Sequence, residues 1–203
     1  MEKALIIAAG DWPSESIWRP LVEDADVIIA TDGAARQARL NDVMPAVIIG
    51  DLDSIGEEEL EHHPEAEIIH LERQDDSDLA KALKWANMKR YNSEIIGIEG
   101  GRPDHVLQAY TVLFENGVGE AIVHLDGWTV QRIVDNLSID VLRGSIVSLF
   151  AFGRVKNITI DGLVHELAGV DLTTGTLGLH NEGLGRAAHI SHSGGHLLLM
   201  IER

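Results

Sequence analysis

Four short polar segments gather residue types suited to a hard cation and a phosphate chain: Thr31-Asp32-Gly33, Gly50-Asp51-Leu52-Asp53-Ser54, Asp75-Asp76-Ser77-Asp78 and Gly100-Gly101-Arg102-Pro103-Asp104-His105. Crowded carboxylates repel one another and rise in pKa unless a cation sits among them. Mg²⁺ takes oxygen ligands, typically one or two carboxylates completed by water and phosphate oxygens. On an extended backbone Asp51 and Asp53 project to the same side, so both can face one ion. Gly100-Gly101 allows backbone amides to approach phosphates closely, Arg102 can fork onto their oxygens, and a helix opening at Pro103 would add its positive end. Each segment alone has a plainer reading: Asp-x-Asp as a turn, Asp76 as solvated surface, Asp78 as a first-turn carboxylate favoured by the helix dipole, Gly-Gly as a tight turn. Their joint placement is what favours chemistry.

The placement comes from the elements around them. Continuous apolar runs, rich in Ile and Val, fall at residues 4–9, 26–30, 46–50, 67–70, 94–98 and 121–125, the pattern of strands buried on both faces. Helical spacing over 77–90 stripes Leu79, Ala82, Leu83 and Ala86, and over 103–116 it stripes Val106, Leu107, Tyr110 and Leu113. Alternation of this kind predicts an α/β domain with a mostly parallel sheet and helices on both faces. The four polar segments follow the second to fifth strands, and ligands of such sheets bind at the carboxyl ends of strands. Beyond residue 125 the runs become short and glycine-punctuated, at 129–134, 137–142, 145–151, 154–160 and 196–201, with no helical pattern between them. That predicts an all-β sandwich or barrel. The expected division is 1–130 for the nucleotide- and metal-binding α/β domain and 131–203 for the β domain.

Composition narrows the partners. A net charge of -17 over 203 residues argues against nucleic acid or an anionic membrane surface, because the long-range field repels both. No run approaches the ~18 apolar residues of a membrane span, and the first apolar run is too short for a signal peptide, so a soluble cytoplasmic protein is expected. Absence of cysteine excludes disulfides and thiolate metal sites. Neither a Walker-A pattern nor Gly-x-Gly-x-x-Gly after a strand occurs. His165, His180, His189, His192 and His196 lie in a glycine-rich, strand-like tail that gives them no common helix face, so surface and hydrogen-bonding roles are expected of them before zinc binding.

Taken in order, the segments resemble those of the thiamine pyrophosphokinase family. Its Ala-Asp-Gly-Gly-Ala-Asn is matched imperfectly by Ala30-Thr31-Asp32-Gly33-Ala34-Ala35-Arg36, its Gly-Asp-Phe-Asp-Ser by residues 50–54, and its Asp-x-Thr-Asp by residues 75–78 followed by Ala82-Leu83. Its Gly-Gly-Arg-x-Asp-His is unbroken at residues 100–105. Nearer the end, Gly162-Leu163-Val164-His165 and His180-Asn181-Glu182 stand where the family has Gly-Leu-x-(Trp/Tyr) and Ser-Asn-Glu.

The resemblance implies an α/β domain, a β-sandwich and a homodimer that transfers the pyrophosphoryl group of ATP to thiamine, releasing AMP. On that reading Asp51, Asp53 and Asp78 bind Mg²⁺. Asp32 orients the nucleotide or a second metal, and Gly33, Ser54, Gly100, Gly101, Arg102, Asp104 and His105 contact nucleotide and phosphates. Asp75 or Asp104 activates the acceptor hydroxyl, and His165, His180 and Asn181 hold the acceptor. The departures at His165 and His180 fall on the acceptor side, since a protonated imidazole would repel a thiazolium cation. A hydroxymethyl-pterin or pyrimidine alcohol is the alternative acceptor. A non-catalytic nucleotide sensor and a metal-dependent phosphohydrolase are the readings from other classes.

Overall fold

The computed structural model describes residues 2–72 and 75–203 and divides into two compact units, Met1–Asp126 and Gly127–Arg203. In the first, strands and helices alternate: β1 (Lys3–Ile7), α1 (Glu15–Asp24), β2 (Val27–Thr31), α2 (Ala35–Leu40), β3 (Val47–Gly50), α3 (Glu57–Glu61), β4 (Glu67–His70), α4 (Asp78–Met88), β5 (Asn92–Ile96), α5 (Pro103–Thr111) and β6 (Ala121–Leu125). The order across the sheet is β4-β3-β2-β1-β5-β6, and every one of these pairs is parallel. The chain steps outward from β1 to β4, then returns to the other side of β1 at β5. A crevice therefore opens past the carboxyl ends of β1 and β5, the place where such sheets take ligands.

Burial follows the apolar runs. Leu5, Ile7, Ala30 and Ile96 pack with Trp18 of α1, Ala38 of α2 and Ala34 just before it. Alternation turns Ile6, Ile29 and Ile95 the other way, and they are equally buried where α4 packs across β3, β2, β5 and β1. Each fully buried Ile or Leu contributes roughly 1.5–3 kcal/mol, so the strands form the rigid part of the unit. The strand expected over 94–98 runs instead over Asn92–Ile96. Gly97 turns the chain at φ +78°, and a side chain there would put Cβ 2.4 Å from the Ala8 carbonyl oxygen. The second predicted helix ends at Thr111 and tightens into a 3₁₀ turn over Val112–Phe114.

The second unit is β-rich: β7 (Trp128–Ile133), β8 (Asn136–Val141), β9 (Ile146–Asp161), β10 (Leu167–Leu172), β11 (Asn181–Glu182), β12 (Arg186–Ser191) and β13 (Gly194–Glu202). All its pairs are antiparallel. β9 is one strand where the sequence suggested two. At its middle, Gly153 (φ +77°) lies in a stretch where the register moves from His196↔Phe152 to Gly194↔Lys156, a bulge that bends the ladder without ending it. Its first half pairs with β13 and β11, and its second half with β12 and β10. One apolar cluster, including Val147, Leu149, Ile158, Ile160, Ile190 and Leu199, fills the interior. Among the described residues no helix is long and apolar enough to cross a membrane.

Candidate active site

A cleft of about 530 Å³ lies past the strand ends of the first unit and is lined by residues following β1, β3 and β5, by Thr31 at the end of β2 and by the openings of α4 and α5. Asp51 and Asp78 line it, and with the buried Asp32 behind them their carboxylates each offer an oxygen within 4.8 Å of the other two. Asp32 is 3% exposed. It enters from the end of β2, accepts a hydrogen bond from its neighbour's amide, Gly33 N, at 2.7 Å, and leaves Oδ2 buried without a partner. Gly50 makes room for it, because a Cβ at that position would lie 2.5 Å from the Asp32 carboxyl carbon. Asp78 is set by the start of α4. Ser77 caps the helix, its Oγ accepting from Ala80 N at 3.2 Å, which fixes the first turn by about 1 kcal/mol. Gln108 of α5 donates to the same oxygen at 2.8 Å, tying the two helix openings together.

The Asp51–Ser54 segment departs from expectation. It is a turn, because Leu52 sits in the left-handed region at φ +63°. The amide of Asp53 donates to Asp51 Oδ1 at 3.3 Å, so a turn rather than an extended chain brings the two residues to the same cleft. Asp51 joins the cluster, whereas Asp53 is exposed on the cleft wall and accepts from Ser54 Oγ at 2.9 Å.

Environment drives these acids apart. Burial, then the neighbouring Asp78, pushes the Asp32 carboxyl up, against the opposing amides of Gly33 and Leu52. The amide of Asp53, then its side chain and Lys81, hold Asp51 low against its partial burial. An unpartnered oxygen on a buried carboxyl beside two others is the arrangement a divalent cation would relieve. The donor set, all hard oxygen, fits Mg²⁺.

The fourth segment forms another wall. Gly100 and Gly101 both adopt positive φ, +72° and +66°. Arg102 stands at the cap of α5 with Pro103 in its first turn. The Arg102 guanidinium forks onto Asp104, with distances of 3.1 Å and 2.6 Å. Both side chains are exposed, so Arg102 is free to exchange that partner for another anion. His105 lines the cleft, and Asp75 is exposed beside the opening of α4.

Lys81 was not among the residues expected from sequence. Its side chain is 3% exposed, with Nζ 2.8 Å from Asp78 Oδ1. The available signal was its position three residues after Asp78, which places both on one helix face.

The acceptor-side residues lie in the second unit. His165 and Asn181 line a smaller apolar cavity of about 170 Å³ with Leu163, Leu167, Leu177 and Leu179. Asn181 is buried and joins two stretches of backbone: Oδ1 accepts from His165 N and Glu182 N, both at 2.9 Å, and Nδ2 donates to the His165 carbonyl at 2.7 Å. His180 is exposed, at φ +61°, its amide donating to Ser148 Oγ.

Residues 18–123 match the family described as "Thiamin pyrophosphokinase, catalytic domain". A thiamine pyrophosphokinase of Bacillus subtilis (strain 168) is 28% identical over 169 residues, 78% of each chain. The crystal structure of thiamine pyrophosphokinase from Bacillus subtilis superposes with a TM-score of 0.81 at 24% identity, over 98% of this chain and 99% of that one. A thiamin pyrophosphokinase family protein of Enterococcus faecalis gives 0.83 at 21% identity, over 100% and 99%. At these identities the solved structures are likenesses of fold.

Proposed function

The chain belongs to the thiamin pyrophosphokinase family, and we propose that its cleft carries out that family's reaction, the transfer of the pyrophosphoryl group of ATP to the hydroxyl of thiamine with release of AMP. The observation that carries the reading is the unpartnered, buried Oδ2 of Asp32 beside the oxygens of Asp51 and Asp78. These three would hold Mg²⁺, with Asp53 on the adjoining turn. When bound, the ion supplies charge neutralisation across the triphosphate.

The chain's own groups do the positioning on which such transfers depend. Gly100 and Gly101 bring backbone amides to the cleft wall. Arg102 gives up Asp104 for phosphate oxygens, and the opening of α5 adds its dipole. Gly33, Ser54 and His105 complete the nucleotide contacts. Asp75 or Asp104 takes the proton of the acceptor hydroxyl. In the second unit, which we read as a sandwich, His165, His180 and Asn181 serve the acceptor. The exposed Leu177 and Leu179 beside them support a homodimer.

AMP formation from Mg·ATP, measured with thiamine, a hydroxymethyl-pterin and a pyrimidine alcohol, tests the reading. Turnover with thiamine alone is expected. No AMP with any of the three would sink it.

A further inference from the structure

Lys81 gives up water for the carboxylate cluster. Its Nζ lies 2.8 Å from Asp78 Oδ1 and 4.0 Å from Asp51 Oδ2, and on either side of it Leu79, Ala80, Ala82 and Leu83 are buried. Lysine is almost never found fully buried unless paired, and here the partners are two of the three acids of the carboxylate cluster. Asp32, Asp51 and Asp78 bring three negative charges when ionised and Lys81 one positive, a sum that a single divalent cation balances. The ammonium already occupies one oxygen of Asp78, and the side chain also lines the cleft.

We infer that Lys81 is a positioning residue that governs loading of this centre: it competes with a divalent ion for Asp78 and keeps the nucleotide-free site lightly loaded, so that metal enters together with the nucleotide. The inference rests on the reading of the cluster as a cation site. A metal–nucleotide complex arriving in the cleft brings phosphate oxygens, a new partner for the ammonium as Asp78 turns to the ion. A lysine serving only to anchor α4 would leave metal affinity independent of its charge.

Mn²⁺ binding to the nucleotide-free full chain, followed by the electron paramagnetic resonance signal of the free ion, separates the two roles. Lys81→Gln and Lys81→Met are expected to bind Mn²⁺ about tenfold tighter than wild type, since a like charge a few ångströms from the ion is removed. Lys81→Arg, which keeps the charge, is expected to stay near wild type. ATP should then raise Mn²⁺ affinity more in the wild type than in Lys81→Gln. Thermal melts confirm folding, and if Lys81→Met fails to fold, the Gln and Arg variants carry the test. Lys81→Gln binding Mn²⁺ no tighter than wild type overturns the inference. Failure of the underlying reading looks different: Asp51→Asn would then leave both Mn²⁺ binding and Mg·ATP turnover unchanged, whatever the lysine variants do.

Discussion

The two cavities differ in what they leave unfinished. In the first unit Asp32 Oδ2 and Thr31 Oγ1 are buried at the cleft without partners, and the nearby charges are only partly balanced by Lys81. In the second unit the cavity walls are mostly Leu, Ile and Val, and its buried polar side chain, Asn181, has its carbonyl oxygen doubly engaged and its amide donating. An unpartnered buried polar atom costs roughly 1–3 kcal/mol, a cost that a cation bound among these carboxylates would relieve. On the proposed reading a charged ligand completes the cleft. The apolar cavity is complete without one and can add shape and apolar contact.

The largest expected effect breaks the first region alone. Asp78→Asn should lower kcat for AMP formation about 10³-fold, as removal of preorganised electrostatic groups does, while the second unit keeps its fold. Asp32→Asn should be comparably inactive yet melt at a higher temperature, because its folded-state pKa is raised and the ionised form costs stability at neutral pH. A melt that falls instead would mean the carboxylate is held by interactions other than those described. Gly50→Ala comes next. Its Cβ would lie 2.5 Å from the Asp32 carboxyl carbon, and overpacking of this kind costs about 1–3 kcal/mol in chemical unfolding.

How far this could be read from the chain depends on the residue. The parallel strands were legible because runs such as Leu5–Ile7 and Val47–Ile49 are continuous and buried on both faces. The edge strand Leu167–Leu172 was not, since only Leu172 is buried and no alternation marks it. Asp51 and Asp78 announced themselves by type and by position after strands. Asp32 did so too, after the second strand, but the turn at Asp51–Ser54 did not, because Leu52 adopts a left-handed φ of 63°, a conformation that a leucine gives no sign of. Lys81 was hidden by the helical stripe drawn through Leu79, Ala82 and Leu83: α4 is buried over a wider arc than that stripe.

Acid should sharpen the contrast. Glu59 of α3 accepts a two-pronged pair from Arg39 of α2, both bonds at 2.8 Å, and contacts His63 Nε2 at 3.1 Å. The Arg39 guanidinium leads in holding the Glu59 carboxyl down to about 2, against an ordinary value of 4.5. A depressed folded-state pKa contributes stability that is present above pH 4.5 and is lost as the pH falls toward 2. With the side chain 13% exposed, the contribution is on the order of 2–3 kcal/mol. Hydrogen exchange should therefore show the first unit loosening in that window, and Glu59→Gln should flatten the pH dependence. The neutral Asn181 clamp of the second unit has no charge to lose.

The smallest effect falls on that clamp's neighbour. The His165 side chain is exposed and the residue is held through its backbone, by Asn181, so truncating the imidazole leaves the clamp intact. If the ring meets the acceptor, His165→Ala should raise KM for thiamine about fivefold, roughly 1 kcal/mol. Mg·ATP affinity and the thermal midpoint should hold at their wild-type values. Asn181→Ala should differ in kind, lowering stability because the amides of His165 and Glu182 lose their acceptor. An unchanged KM in His165→Ala alongside a destabilised Asn181→Ala would make this cavity purely structural. A His165→Ala variant that instead weakened Mg·ATP would break the division of labour, since an apolar cavity with its polar groups satisfied offers a triphosphate nothing to bind.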